Sequence, residues 1–261
     1  MTAAFTSLPE EFASPLTLAQ ERLGLFAHRV LWYAEVGSTN DIAGTFAEKG
    51  ADEGLVVVAD RQTAGRGRLG RSWASPSGAG IYVSLVLRPS ATAARLVTIA
   101  AGVAVTDGIA AATGLSTHVK WPNDVHVSGR KLAGILAEGA ASHVVLGIGI
   151  NVQPAAYPPD VAARATSIEA ELGRPVDRGL VLAECLAAVA SRYGDLRENR
   201  TASIVDAWRM RAAPMLGRRV EWESAGERHT GLAENIDDDG SLIVRVGGHT
   251  LRIRSGEVRW L

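Results

Sequence analysis

A chain of 261 residues, 47% of them hydrophobic, can bury a sizeable core and fits one large domain or one domain with a small appendage. Its 27 Lys and Arg nearly balance 28 Asp and Glu, for a net charge of -1, so no global field draws it to nucleic acid or to an anionic membrane. The single cysteine, Cys185, excludes an internal disulfide framework and any paired-cysteine zinc or redox site. With no basic and apolar leader after Met1, the chain is expected in the cytoplasm.

In chain order, Leu16, Leu23, Leu25 and Phe26 recur among polar residues at roughly helical spacing and predict an amphipathic helix over 16–29, too short for a helix-turn-helix domain. A strand over 30–36 follows. It meets Gly37-Ser38-Thr39-Asn40-Asp41, after which a helix over 42–49 is stopped by Gly50. Any of Ser38, Thr39, Asn40 or Asp41 can cap that helix, and capping is the commoner use of such residues. Four polar residues in a row exceed what a cap needs, so a cluster that hydrogen-bonds a small polar head group is the other reading.

Apolar, β-branched runs at 55–59 and 80–88 read as buried strands, and between them lies Gly65-Arg66-Gly67-Arg68-Leu69-Gly70-Arg71. Glycines let a main chain approach a ligand with its N–H groups free, and guanidinium forks match the paired oxygens of a phosphate. Such a loop suits closure over an anion, although a solvated basic turn has the same composition. Trp73 beside the arginines can stack on a planar base, yet a tryptophan next to a strand is more often core.

The stretch 91–114 predicts a buried helix; Arg95 and Asp107 interrupt it, and Ala, Gly and Thr dilute its hydrophobicity below that of a membrane span. Next, His118 to Val125 reads as a strand broken by the turn chemistry of Pro122-Asn123-Asp124, with Lys120 at the strand end, either in a site or snorkelling at the surface. Strands over 130–138 and 143–152 form a pair. Gly147 and Gly149 inside the second weaken it unless something approaches its backbone, which marks this sheet face as a candidate pocket floor. No third glycine completes a dinucleotide fingerprint.

A surface loop at 157–160 precedes helices over 178–197 and 203–212, and Cys185 among Leu182, Leu186 and Val189 reads as a core residue. From Leu216 the pattern changes to short strands, 218–223, 228–234, 241–246 and 249–254, with Asp239-Gly240 and Gly247-Gly248 as hairpin turns. This predicts a separate small β-barrel of SH3-like size. The run 235–240 looks like a calcium loop but puts Val246 where the bidentate glutamate belongs.

The chain has no GxxxxGK[ST], GxSxG or HExxH motif, and its six histidines show no metal-ligand spacing. What remains is phosphate chemistry in which the substrate brings its own nucleophile. A carboxylate, ionised at neutral pH, can attack the α-phosphate of ATP without a general base if Lys120 and the arginines neutralise the charge that develops.

Five motifs in series carry a resemblance: Gly-Ser-Thr-Asn at 37–40, Gln-Thr-Ala-Gly-Arg-Gly-Arg at 62–68, Lys-Trp-Pro-Asn-Asp at 120–124, Lys-Leu-Ala-Gly-Ile-Leu at 131–136 and Gly-Ile-Gly-Ile-Asn at 147–151. In this order they resemble the biotin protein ligases over about residues 30 to 261. The resemblance implies an α+β fold, a mixed β-sheet flanked by helices of the class II aminoacyl-tRNA synthetase/biotin ligase type with a small C-terminal SH3-like β-barrel. It divides the chain into a catalytic domain over 1–213 and a C-terminal β domain over 214–261. The implied reaction joins biotin to ATP, with Mg²⁺, to give biotinyl-5′-AMP, and then passes biotin to a lysine of a biotin carboxyl carrier domain of a carboxylase.

By position, the resemblance places Ser38, Thr39, Asn40 and Gln62 on the ureido and ring region of biotin, with Gly134, Gly147 and Gly149 as the close pocket wall. Gly65, Arg66, Gly67, Arg68 and Arg71 belong to the loop that orders over the adenylate, with Arg66 and Arg68 at the carboxyl–phosphate end. Lys120 falls at the reacting carboxylate and α-phosphate, and Trp73 and Asn151 near the adenine. These assignments replace the capping reading of 38–40 and the core reading of Trp73; the resemblance leaves the metal ligands open. Some thirty residues precede the resemblance, so a ligase without a DNA partner or repressor function, away from membranes, is expected, as a monomer or weak homodimer. Two competitors are the lipoate ligases and octanoyltransferases, where Cys185 is wrongly placed for a nucleophile, and an RNA-binding module, which 5% aromatic residues and the net charge disfavour.

Overall fold

The computed structural model describes residues 5–155, 159–224 and 226–261. The chain opens with α1 (Glu10–Leu18) and α2 (Gln20–Leu23), followed by a 3₁₀ turn over Gly24–Ala27. The single amphipathic helix expected over 16–29 is therefore broken. Pro15 lies inside α1, and Gly24 takes φ 53°, a left-handed value suited to glycine that ends the helical run. The apolar positions nevertheless point inward, since Phe12, Leu16, Leu23 and Phe26 are all buried.

There follow β1 (Val30–Val36), α3 (Thr39–Glu48), β2 (Val56–Gln62), β3 (Gly80–Leu87), α4 (Ala91–Thr113), β4 (His118–Lys120), β5 (Asp124–Val127), β6 (Arg130–Gly139) and β7 (Val144–Asn151). The seven strands form one mixed sheet in the order β1-β2-β3-β7-β6-β5-β4, parallel only between β1 and β2. Side chains alternate across this sheet with period two. Trp32, Val56, Val58, Val83, Leu85, Leu146 and Ile148 pack into the core shared with α4. Leu31, Tyr33, Val57, Val86 and Val145 form a smaller cluster under Ala43 and Ala47 of α3. Covered on both faces, β3 is buried along its whole length.

α4 is the long apolar helix, and it is a core element: two-thirds (67%) of its most apolar stretch is buried. Ser90 caps it by accepting the Ala93 N–H, and Gly114 ends it in the left-handed region. It packs on α7 (Arg178–Arg197), where a Cβ on Gly108 would come within 2.5 Å of the Cys185 Cα. That contact fixes two small residues at once. It also agrees with a core role for Cys185, whose thiol burial pushes well above its ordinary pKa.

Two short helices, α5 (Pro159–Ala162) and α6 (Ile168–Leu172), precede α7 and were not signalled by the sequence. Of the loop expected at 157–160, residues 157 and 158 lie outside the described residues, and Pro159 and Asp160 open α5. α8 (Thr201–Ala212) follows α7. The C-terminal strands are β8 (Arg219–Ser224), β9 (Glu227–Ile236), β10 (Leu242–Val246), β11 (His249–Ile253) and β12 (Val258–Trp260), the last unexpected.

These five strands form an open antiparallel sheet in the order β11-β10-β9-β8-β12, so the SH3-like barrel expected from the hairpin signals is not formed. Closure needs the outer strands to meet, but β12 has three residues and β11 exposes four of its five. The sheet's Val220, Trp222, Ala233, Leu242, Val244 and Val258 are buried in a cluster continuous with the main core. The β9–β10 turn is keyed to the main sheet: the Trp121 indole N–H donates to the Gly240 carbonyl at 2.9 Å, and Arg95 pairs with Asp239. Gly240, at φ 78°, sits where a Cβ would press on Leu96 and Ile99 of α4.

Candidate active site

The site lies on the α3 face of the main sheet, where that face runs out of side chains. Gly147 and Gly149 of β7 and Gly134 of β6 all present this face; Gly134 pairs with Gly149, and Gly147 with Ser84 of β3. A Cβ on Gly147 would lie 2.3 Å from the Asn40 Oδ1, and one on Gly149 2.5 Å from the Trp73 indole. Real Cβ atoms do not approach that closely, so bare backbone is a requirement here. The result is an open cleft that encloses about 480 Å³ with the solvent at its mouth included. Its lining contains Ser38, Thr39, Asn40, Gln62, Arg66, Gly67, Arg68, Trp73, Gly134, Gly147 and Gly149 from the sequence-derived set, and also Asn123 and Lys131.

At the cavity's polar end, Ser38 to Asp41 do not cap α3. Ser38 occupies the N-cap position but makes no side-chain capping bond, and Ser38, Thr39 and Asn40 are all buried. Gln62 Oε1 accepts the Thr39 N–H at 2.8 Å and the Thr39 hydroxyl at 3.0 Å, while Gln62 Nε2 donates to Ser75 at 2.8 Å. The Ser84 hydroxyl lies 2.7 Å from Thr39 Oγ1 and 2.6 Å from Asn40 Oδ1; with one proton it donates to one of them at a time. Asn40 Nδ2 donates to Glu138 at 2.6 Å. These buried and part-buried groups bond one another across α3, β2, β3 and β6, which preorganises them as a hydrogen-bonding surface.

The glycine–arginine loop folds back on itself between β2 and β3. Trp73 N–H donates to the Gly65 carbonyl, Gly67 N–H to Arg71, and the Arg66 and Ser72 backbones bridge. At its tip Leu69 takes φ 56° and is 68% exposed, an unfavourable backbone for a branched side chain. The three arginines have different surroundings. Arg66 pairs with Asp41 and Glu138, and Arg71 pairs with Glu257 beside β12. Arg68, half-buried, has one side-chain hydrogen bond among the described residues, a 3.4 Å contact to Asn123 Oδ1; burial lowers its pKa, although Asp124 and Glu257 attract its charge.

Trp73 lies over the glycine floor with Lys131 Nζ 5.2 Å from its ring centre, and its buried indole N–H has no partner among the described residues. Lys131 Nζ is 2.7 Å from Asp124 Oδ1. Burial pushes the Asp124 carboxyl up, but His126 and Lys131 outweigh it and hold it below the ordinary carboxylate range. Lys120, opposite Asp124 in the β4–β5 pair, has a pKa lowered chiefly by burial.

Lys120, Gly65, Arg71 and Asn151 lie outside the cavity lining. Asn151 is buried at the end of β7 with its amide on the Thr166 carbonyl. Conversely, Lys131, Asn123, Ser84 and Glu138 belong to the site's network and were not singled out from sequence. Lys131 opened a quoted motif, so a signal existed for it; the Glu138 contact depends on strand register and had none. Among the described residues, no cluster of three or more His, Cys, Asp or Glu side chains could hold a metal by itself.

A cavity floored by backbone, walled by buried amides and hydroxyls and bordered by cations fits the activation of a small carboxylic acid. In agreement, residues 33–153 match the biotin/lipoate A/B protein ligase family and residues 215–259 match the biotin protein ligase C-terminal domain. The chain is 40% identical over 234 residues to a biotin–[acetyl-CoA-carboxylase] ligase from Mycobacterium tuberculosis, covering 86% of each. It is 34% identical to a bifunctional ligase/repressor from Bacillus subtilis over 93% of this chain and 78% of that one. A biotin protein ligase from Aquifex aeolicus, solved with biotin and ATP, superposes with a TM-score of 0.75 at 28% identity, covering 90% of this chain and 99% of that one. The chain belongs to the biotin protein ligase family, and it is an ATP-dependent ligase of that family.

Proposed function

We propose that this ligase activates biotin as biotinyl-5′-AMP and transfers it to a lysine of a biotin carboxyl carrier domain, with the ureido ring held by Thr39, Asn40 and Gln62 over the floor of Gly134, Gly147 and Gly149. The observation that carries the reading is that floor: an extended, flat ligand gains contact with bare strand backbone while its polar head meets fixed donors and acceptors. The carboxylate then reaches the cationic end. Its oxygen attacks the α-phosphorus of ATP, the bond to the β-phosphate oxygen breaks, and pyrophosphate leaves. Arg68, Lys131 and Lys120 offset the charge of that transition state. In the second step a lysine amine attacks the acyl carbon, AMP leaves, and the amine gives up a proton.

A Mg²⁺ ion would arrive on the triphosphate, where it would neutralise phosphate charge. Trp73, whose indole N–H has no partner among the described residues, and the loop 65–71 are the groups we assign to the adenylate. The division into 1–213 and 214–261 and the cytoplasmic setting belong to the same reading.

The test is biotin-dependent exchange of labelled pyrophosphate into ATP, with lipoate and octanoate in parallel. Exchange with biotin, followed by transfer to a carrier domain, is the expected result. Exchange with lipoate in place of biotin would overturn the substrate assignment.

A further inference from the structure

Glu138 lies in β6 with its carboxylate directed at two partners that belong to different parts of the site. Oε2 accepts from Asn40 Nδ2 at 2.6 Å, inside the polar end of the cavity, and the same oxygen takes Arg66 Nη2 at 2.9 Å from the glycine–arginine loop. Oε1 lies 3.2 Å from the same Arg66 nitrogen, and the other arm of Arg66 is taken by Asp41 on α3. Both terminal nitrogens of Arg66 are thus paired with carboxylates, whereas among the described residues Arg68 has no carboxylate within ion-pair distance. On the far side, Asn40 Oδ1 contacts Ser84, so its amide is held at both ends.

We infer that Glu138 is a positioning residue that ties the stem of the loop to the head of the pocket, with Arg66 serving as the latch and Arg68 left free for the phosphate. Three facts support this division. Arg66 with two carboxylates carries a local net charge of about -1, a poor lure for a phosphate, so Arg68 is the guanidinium suited to one. The Glu138 and Arg66 side chains are about two-fifths exposed, 41% and 39%, so their pairing adds little to global stability. A shared oxygen makes the orientation of Asn40 depend on the position of the loop and the converse, which is the linkage a ligand needs to order a loop from the opposite end of its site.

The inference rests on the biotin reading, and two readouts separate them. Biotin KM and kcat are measured by pyrophosphate exchange for the parent, Glu138→Ala, Glu138→Gln, Arg66→Ala and the Glu138→Ala/Arg66→Ala double variant. In parallel, trypsin cleavage after Arg68, a site that every variant keeps, is timed for each without and with biotin. Glu138→Ala should raise the biotin KM about tenfold and speed loop cleavage several-fold, with melting shifted by no more than about 3 °C. Glu138→Gln keeps an acceptor for Asn40 but not the charge for Arg66, so it should restore most of the KM and leave the loop fast to trypsin. The double variant should cleave no faster than Glu138→Ala. A parent-like KM and cleavage rate in Glu138→Ala, a Gln variant that restores both properties or neither, or multiplicative effects on cleavage in the double variant would overturn the latch. A parent that exchanges no pyrophosphate with biotin would overturn the substrate reading alone, because the cleavage arm reads the loop without it.

Discussion

Replacing Gly147 with alanine tests whether the bare floor and the hydrogen-bonded wall are one device. The new Cβ would sit 2.3 Å from Asn40 Oδ1, about 1 Å inside the closest comfortable C···O separation. Gly147 is in mid-strand between β3 and β6, so the backbone cannot give way and Asn40 must. Moving Asn40 by about 1 Å breaks its bonds to Ser84 and Glu138, a loss of about 2–4 kcal/mol. Alanine in a strand regains about 0.5–1 kcal/mol over glycine, leaving a net loss near 2 kcal/mol. If that loss falls on biotin binding, the biotin KM rises about thirtyfold. The assay is pyrophosphate exchange against biotin concentration, with Gly44→Ala in α3 as control: its Cβ would meet only Val145 at 3.9 Å, and it should leave KM unchanged while adding about 1 kcal/mol of stability. A biotin KM for Gly147→Ala within twofold of the parent would refute the reasoning.

The alkaline limb of exchange activity should report Lys120. Burial lowers its pKa, so its charge is present below that value and lost as pH rises through it, and activity should fall before an ordinary lysine would titrate; a Lys120→Arg variant that retains turnover should lack this limb in a pH–kcat profile. Arg178→Ala should cost about 1–3 kcal/mol at pH 7 by stripping Asp60 and Glu11 of their partner. Burial pushes the Asp60 carboxyl up, but Ser77, Arg178 and Gly78 together hold it below the ordinary range. That stabilisation is therefore complete above about pH 4 and is lost as pH falls through the depressed value, so urea midpoints of parent and variant should converge in acid. Trp121→Phe removes the bond to the Gly240 carbonyl and should lower stability by about 1 kcal/mol, seen as a lower melting temperature.

Local signals in the sequence carried the elements that local forces decide. The strand over 30–36 and the helix over 178–197 end where expected, because β-branched runs, glycines and caps mark their boundaries. The pocket floor was legible for the same reason: glycine inside a strand is costly without a reason, and Gly147 and Gly149 have one. Barrel closure was not legible, since hairpin turns specify which strands are neighbours and say nothing of whether β11 and β12 meet. Glu138 and Ser84 escaped notice because each owes its place to register, opposite Val145 and Gly147 respectively. Lys120 and Asn151 had the right chemistry in the right motifs, yet the cavity wall is drawn by Lys131 and Asn123.

A floor made of glycine has a direction of change built into it. Every substitution at Gly134, Gly147 or Gly149 adds volume, and none removes any, so mutation at these positions can only narrow the range of acids admitted. Enlarging the cavity for a bulkier or longer ligand has to come from the movable wall: Trp73, whose ring lies over that floor, or the loop that carries Arg68. Selectivity against larger acids is therefore at its most permissive setting along the sheet and adjustable only above it, which makes Trp73 the position from which altered-substrate variants of this ligase should be sought.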